Sequence, residues 1–185
     1  MRLPVEVTSE LDDLVGVIWT GADSHVLTVV EFFDYNCPHC RRAMPDLHAL
    51  LQEMRDLRVG LVNNPILSAD SAQAAQVELA VLRLGGPGPA YEFHRRLFGR
   101  RGVIGRDKAL DVAAELGAPM TDVERLADAP DIRSASSDQM RLAASLGMAA
   151  TPSFLIAGAG LLGYPGPLSL ARIINSVRHC AQIAC

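Results

Sequence analysis

The sequence predicts an α/β fold, a sheet whose two halves are separated by a helical insertion. Three observations carry the prediction. A β-branched and aromatic run, VLTVVEFF (26–33), is followed by a helix-patterned segment and then by a second apolar run, RVGLVNNP (58–65). Two further strand-like runs, SFLIAG (153–158) and LLGY (161–164), come only after a long gap. The residues filling that gap, 66–150, carry helical patterning almost throughout.

Residues 1–25 read as a lead-in. Within it residues 1–12 are polar, LVGVIW (14–19) reads as a short strand, and TGADSH after it is a turn-rich break. VLTVVEFF is nearly continuous in apolar content, which suits a central strand buried on both faces. After it, Met44, Leu47, Leu51 and Met54 recur at helical spacing. Pro38 falls near the first turn of that helix, where its missing N–H costs little. Pro45 lies inside the pattern and is expected to kink or interrupt it. With RVGLVNNP this makes a parallel βαβ unit.

Residues 26–65 and 151–180 together are the predicted sheet domain. The insertion, 66–150, contains SADSAQAAQVELAVLRL, AYEFHRRLF, DKALDVAAELG and a helical stretch from Thr121 to Leu146. GPGP (86–89) reads as a rigid connector between the first two. The last helix, LSLARIINSVRHC, places Leu170, Ile173, Ile174 and Val177 on one face, and residues 181–185 are a tail. There is no internal repeat and no low-complexity tract.

The chain has 185 residues, enough for one domain with a sizeable insertion. An apolar fraction of 49% with 21% charged residues provides for a real core without any run near the roughly 18–20 residues of a membrane span. A net charge of −4 offers nothing to nucleic acid or an anionic membrane surface. The basic residues include a single lysine, Lys108, read as compositional bias. The opening MRLPVEVTSE has no basic stretch leading into an apolar one, so no signal peptide is present in this sequence. A mature form restarted at a methionine reads the same way, and the compartment stays open.

Chemistry enters with VVEFFDYNCPHCRRAMPDL (29–47). A thiol exchanges only as thiolate, and the free N–H groups and positive dipole end of a helix favour that form. Cys37, on the N-cap side, is the expected low-pKa, exposed, attacking sulfur. Cys40, one turn in, is the more buried resolving thiol. Pro38 shapes the turn between them, and His39 is placed to set an imidazole beside the Cys37 sulfur. Glu31 is a carboxylate inside an apolar strand, costly to bury without a task. Its bland alternative is an edge-facing side chain.

A C-x-x-C also serves as a structural disulfide, or as half of a zinc site completed by Cys180 and Cys185 or a histidine. The strand before it and the helix after it favour redox chemistry. Cys180 and Cys185 themselves fit a disulfide pinning the last helix, free terminal thiols or an accessory relay. RRLFGRRGVIGR (95–106) is an anion or docking patch on one reading and a solvated face on the commoner one. His48 and His94 sit in helical segments without ligand-like spacing, and His25 and His179 are unremarkable. No phosphate-binding glycine pattern and no Ser–His–Asp arrangement is found.

VVEFFDYNCPHC resembles the active-site segment of DsbA-like thiol–disulfide oxidoreductases, a family of the thioredoxin superfamily. NPILSADSAQAAQVELA looks like the turn and first insertion helix of its ScsC-like branch, and GMAATPSFLIAG is similar to the loop and strand that carry the family's cis-proline. The resemblance runs from about residue 24 to 178 and implies a thioredoxin-like fold with an inserted helical subdomain. It implies that Cys37 attacks, Cys40 resolves and His39 tunes the first sulfur. Pro152 would be the cis-proline and Thr151 would offer backbone hydrogen bonds to an extended substrate. Glu31 matches a buried acid that moves a proton for Cys40.

The function so implied is donation of the Cys37–Cys40 disulfide to folding proteins, without a cofactor. Its partners are protein or peptide thiols and disulfides and a redox partner protein, in a periplasmic or otherwise exported setting. C-P-H-C points to the oxidising members, whereas threonine before the cis-proline is common among isomerases and reductases. That leaves an isomerase or reductase as the near rival and a non-enzymatic zinc module as the distant one.

Overall fold

The computed structural model describes residues 10–11, 13–24, 27–180 and 182. Expectations for residues 1–9, for His25 and for a Cys180–Cys185 pairing lie outside the described residues. The predicted α/β architecture is present. Strands β1 (Ile18–Gly21), β2 (Leu27–Phe33), β3 (Leu57–Asn63), β4 (Ser153–Ile156) and β5 (Ala159–Leu162) form a sheet in the order β1-β3-β2-β4-β5. β2 and β3 are parallel, as the βαβ reading requires, and the other pairings are antiparallel.

Strand β2 is the centre of the sheet, and its alternation sorts its side chains onto two faces. Val30 and Phe32 pack with Val62, Leu155, Leu142 and Leu146. Leu27, Val29 and Phe33 face the opposite way, toward Leu47, Leu50, Leu170 and Ile174. Helices α1 (Pro38–Glu53) and α7 (Pro167–Cys180) therefore cover one face, and α6 (Pro130–Ser145) covers the other. The region between the sheet halves also contains α2 (Ala69–Gly85), α3 (Pro87–Phe98), α4 (Arg106–Glu115) and α5 (Met120–Ala127). α6 thus belongs to the sheet's cover although it lies within residues 66–150, and β1 joins the sheet from within residues 1–25.

Several boundaries differ from the sequence reading. The early strand begins at Ile18, not Leu14, because Gly16 turns the chain at φ +89°. Helix α1 runs unbroken through Pro45, which is exposed, on the side where a carbonyl freed of its helical donor has water for a partner. Pro87, Gly88 and Pro89 are not a connector but the first turn of α3, where missing N–H groups are tolerated. The hairpin after β4 is tighter than the glycine-rich turn expected. Ile156 pairs with Ala159, leaving only Ala157 (φ +45°) and Gly158 (φ +82°) as the loop. The last strand accordingly ends at Leu162 instead of Tyr164.

Candidate active site

The chain leaves β2 at Phe33 and enters α1 at Pro38, and the three residues before Cys37 are fixed to the insertion by their side chains. Asp34 Oδ1 accepts from the Asn36 N–H (2.7 Å) and the Ser71 hydroxyl (2.7 Å), and Oδ2 accepts from the Leu67 N–H (2.9 Å). Asn36 accepts from the Ile104 N–H (2.7 Å) and donates to the Ile104 carbonyl (2.8 Å). Tyr35 is fully buried against Phe33, Phe98 and His94. Arg41, just past the second cysteine, donates to the carbonyls of Phe98 and Arg100. The turn that presents Cys37 is therefore held from both sides.

Cys37 is the N-cap of α1, with the Cys40 N–H 3.5 Å from its sulfur and Pro38 in the first turn. Both thiols are free. A hydrogen bond from the Cys40 side chain, aided by the Thr151 side chain and by the backbone N–H groups of Cys40 and His39, overcomes burial and lowers the Cys37 thiol from 9.0 to about 5. The imidazole of His39 is exposed, so what this residue brings to the sulfur is its backbone N–H. Cys40 is completely buried, and desolvation, with Cys37 and Glu31 nearby, pushes its thiol far above the ordinary range. One sulfur is built to be a thiolate and its neighbour to hold a proton.

The predicted exposure of Cys37 needs correction, because the residue is only 4% accessible. The covering group comes from the loop before β4. There the Thr151–Pro152 peptide is cis, and the Thr151 carbonyl accepts from the Cys37 thiol at 3.1 Å. The Pro152 carbonyl is taken by the Gly163 N–H (2.8 Å). Thr151, Pro152 and both cysteines are thus brought together.

Glu31 lies beneath the pair on β2. It is 1% exposed on the sheet's central strand, not at an edge, and its Oε1 has no hydrogen-bond partner among the described residues. Desolvation, and next the charge of Cys37, raise it from 4.5 to about 8. A carboxyl so placed takes or gives a proton near neutral pH.

Sequence reasoning passed over a second buried polar group behind the first. Glu78 on α2 and His94 on α3 are both inaccessible. Tyr35 donates its hydroxyl to Glu78 Oε2, Asn63 donates its amide to Oε1, and His94 Nδ1 stands 3.4 Å from Oε2. The available signal was a lone glutamate in the apolar stretch AAQVELAV. The arginine stretch follows its bland reading in part: Arg95 and Arg96 pair with Glu92, Arg100 with Glu115 and Arg106 with Asp128. Among the described residues no three His, Cys, Asp or Glu side chains are grouped to hold a metal ion. Among them, too, no helix is long and apolar enough to cross a membrane.

Comparison with known proteins agrees with this geometry. The DSBA-like thioredoxin domain model matches residues 28–175. A thioredoxin-like oxidoreductase from Silicibacter pomeroyi DSS-3 is 32% identical, with TM-score 0.80 over 90% of this chain and 96% of that one. The catalytic domain of Proteus mirabilis ScsC superposes with TM-score 0.82 at 24% identity, covering 93% of this chain and 96% of that one. A periplasmic thioredoxin-like protein from Salmonella enterica serovar Typhimurium gives 0.81 at 22% identity, over 96% and 99%. The last two likenesses bear on the fold. Among curated proteins, the Na(+)/H(+) antiporter NhaA of Herminiimonas arsenicoxydans is 26% identical over 182 residues. That match takes in 97% of this chain but only 28% of the antiporter's length.

Proposed function

Since the chain belongs to the DSBA-like thioredoxin domain family and is a thiol–disulfide oxidoreductase of that type, we propose that it works in the oxidising direction. It donates a Cys37–Cys40 disulfide to protein thiols. The observation that carries this reading is the Cys37 sulfur capping α1 within reach of the Cys40 N–H. A thiolate stabilised there makes the reduced form the more stable one, which is what a disulfide donor needs.

In this reading a client thiolate attacks the Cys37 sulfur. The client–Cys37 bond forms as the Cys37–Cys40 bond breaks, and Cys40 leaves with the electron pair. Glu31, a neutral acid up to about pH 8, supplies the proton that Cys40 needs because its burial disfavours the anion. A second client thiolate then attacks the client sulfur of the mixed disulfide, and Cys37 departs as a stable thiolate. The client is oxidised by two electrons, the enzyme is reduced by two, and no cofactor takes part. The Thr151 backbone aligns the client strand, and Pro38 and His39 set the turn and its N–H groups. A redox partner reoxidises the pair, and an exported, oxidising compartment suits the cycle.

The decisive experiment is the reduction potential of the Cys37–Cys40 couple in glutathione buffers, with Cys180 and Cys185 replaced by serine. A value at the oxidising end, around −120 mV, supports donation, and one near −270 mV transfers the reading to an isomerase or reductase. The likeness to part of an antiporter favours a second, compatible reading, in which such a domain serves as the redox module of a larger membrane protein. Recovery of the intact protein from membranes, as against the soluble fraction, tests it.

A further inference from the structure

The β2–β4 ladder stops at the Phe32–Ser153 pair, so Thr151 and Pro152 lie beyond its last rung. Donors to the carbonyls of this loop hold it over the cysteines. The Gly163 N–H donates to the Pro152 carbonyl at 2.8 Å. The hydroxyl of the buried Ser153 donates to the Ala150 carbonyl at 2.5 Å. The Asn64 side-chain amide donates to the Met148 carbonyl at 3.1 Å. Thr151, in the middle, faces the Cys37 sulfur in both of its states: its carbonyl accepts from the thiol, and its side chain favours the thiolate.

Asn64 differs from the other donors because it joins this loop to the segment that leads to the cysteines. It follows β3, is only 2% exposed, and donates its backbone N–H to the Phe33 carbonyl at 2.7 Å. Phe33 ends β2 four residues before Cys37, and Met148 stands three residues before Thr151. The bonds therefore close a small circuit, from Phe33 through Asn64 and Met148 to Thr151, across to Cys37 and back along the chain to Phe33. Both arms are short. Asp34 and Asn36 stiffen the one that carries Cys37. On the other, Met148 is buried with Phe32, Val62 and Leu155, and its N–H donates to the Ala143 carbonyl at 2.8 Å. Ala149 and Ala150, which complete that arm, are exposed and have no polar side chain to hold it.

We propose that Asn64, assisted by Ser153, is a positioning residue for the exchange reaction. It fixes the separation between the Thr151 backbone and the Cys37 sulfur, which keeps the sulfur covered and keeps that backbone in place for an extended chain. A buried carbonyl deprived of its donor is costly, so the loop shifts toward water when the amide is removed. No bond is made or broken at Asn64. For its meaning in turnover the inference rests on the proposed pairing of a client strand with Thr151, whereas the covering of the sulfur is independent of it.

The test uses reduced protein with Cys180 and Cys185 replaced by serine, well above the Cys37 titration, so that alkylation by iodoacetamide reads access and not ionisation. Each cysteine is followed by mass spectrometry. Asn64→Ala should speed modification of Cys37 by about three- to tenfold, the range that one lost hydrogen bond sets, while Cys40 stays unmodified. Ser153→Ala should act in the same direction. A Cys37 rate unchanged in both variants overturns the proposal, and so does a parallel rise at Cys40, which signals a general loosening of the fold. Ile132→Val, in the buried cluster with Leu79 and about 20 Å along α6 from Leu146, controls for lost stability and should leave the Cys37 rate as it is. In oxidation of a dithiol peptide, Asn64→Ala should raise KM by about three- to tenfold with little change in kcat. If KM stays put while Cys37 alkylation quickens as stated, the pairing of clients with Thr151 fails and the Asn64 assignment stands. In the wild-type chain the Asn64 side-chain N–H should exchange with solvent more slowly than that of the exposed Asn175, and equal rates overturn the proposal.

Discussion

The Cys37 thiol and the Thr151 carbonyl oxygen meet at 3.1 Å although 114 positions separate them in sequence. That contact covers the Cys37 sulfur with the residue before the cis peptide. In the proposed function, a client strand that pairs with the Thr151 backbone arrives with its own sulfur near Cys37.

The ionisation of Cys37 follows from its surroundings. Thiolate absorbance near 240 nm should titrate at about pH 5 in reduced protein. Because the Cys40 side chain is the largest cause of the lowered value, Cys40→Ala should move the transition upward, and a transition unchanged in that variant would contradict this cause. The sign for stability is that of a depressed acid. The reduced form's extra stability is present above about pH 9 and is lost as pH falls through about 5.

Glu31 has the opposite sign. Its folded value lies above its unfolded one, so wild-type stability is intact below about pH 4.5 and declines as pH rises through about 8. Glu31→Gln should match wild type in thermal midpoint at pH 4 and exceed it at pH 8.5. The gap should be a few kcal/mol, because each tenfold change in a proton-binding constant is worth about 1.4 kcal/mol. The same variant should slow release of the Cys40 thiolate in single-turnover exchange, by about 10- to 100-fold at neutral pH.

The Asn36 clasp on Ile104 is the tie between the cysteine turn and the α3–α4 connection. Asn36→Ala removes both bonds and leaves the N–H of the buried Ile104 without its acceptor, at a cost of about 1–3 kcal/mol in chemical denaturation. Hydrogen exchange should quicken at residues 100–105. A loss confined to global stability, with that connection still protected, would contradict the assignment.

The hairpin at Ala157–Gly158 carries an alanine in the left-handed region, at φ +45°. Asparagine is better suited there, so Ala157→Asn should stabilise the protein by about 0.5–1 kcal/mol and leave the reduction potential unchanged.

What could be read directly from sequence was local. The run before Cys37 is apolar and β-branched, the pattern after it is helical, and a proline stands one position beyond the first sulfur. Those facts alone place a thiol at a helix N-terminus, because capping depends on residues adjacent in the chain. The continuity of α1 through Pro45 and the prolines inside α3 were misjudged for a related reason. Whether a missing N–H matters depends on where it falls in the helix and on what surrounds it.

Short-range pattern was enough for the βαβ core, the helical character of residues 66–150 and the place of Cys37 at a helix N-terminus, since each follows from a local period or a neighbouring residue. It could not show that Thr151 covers Cys37, that Glu31 Oε1 stands buried with no hydrogen-bond partner among the described residues, or that Tyr35, Glu78 and His94 converge behind it. Those relationships join residues from β2, α2, α3 and the loop before β4. Sheet order and helix packing bring them within a few ångströms, and desolvation at that depth, not any local pattern, sets their protonation.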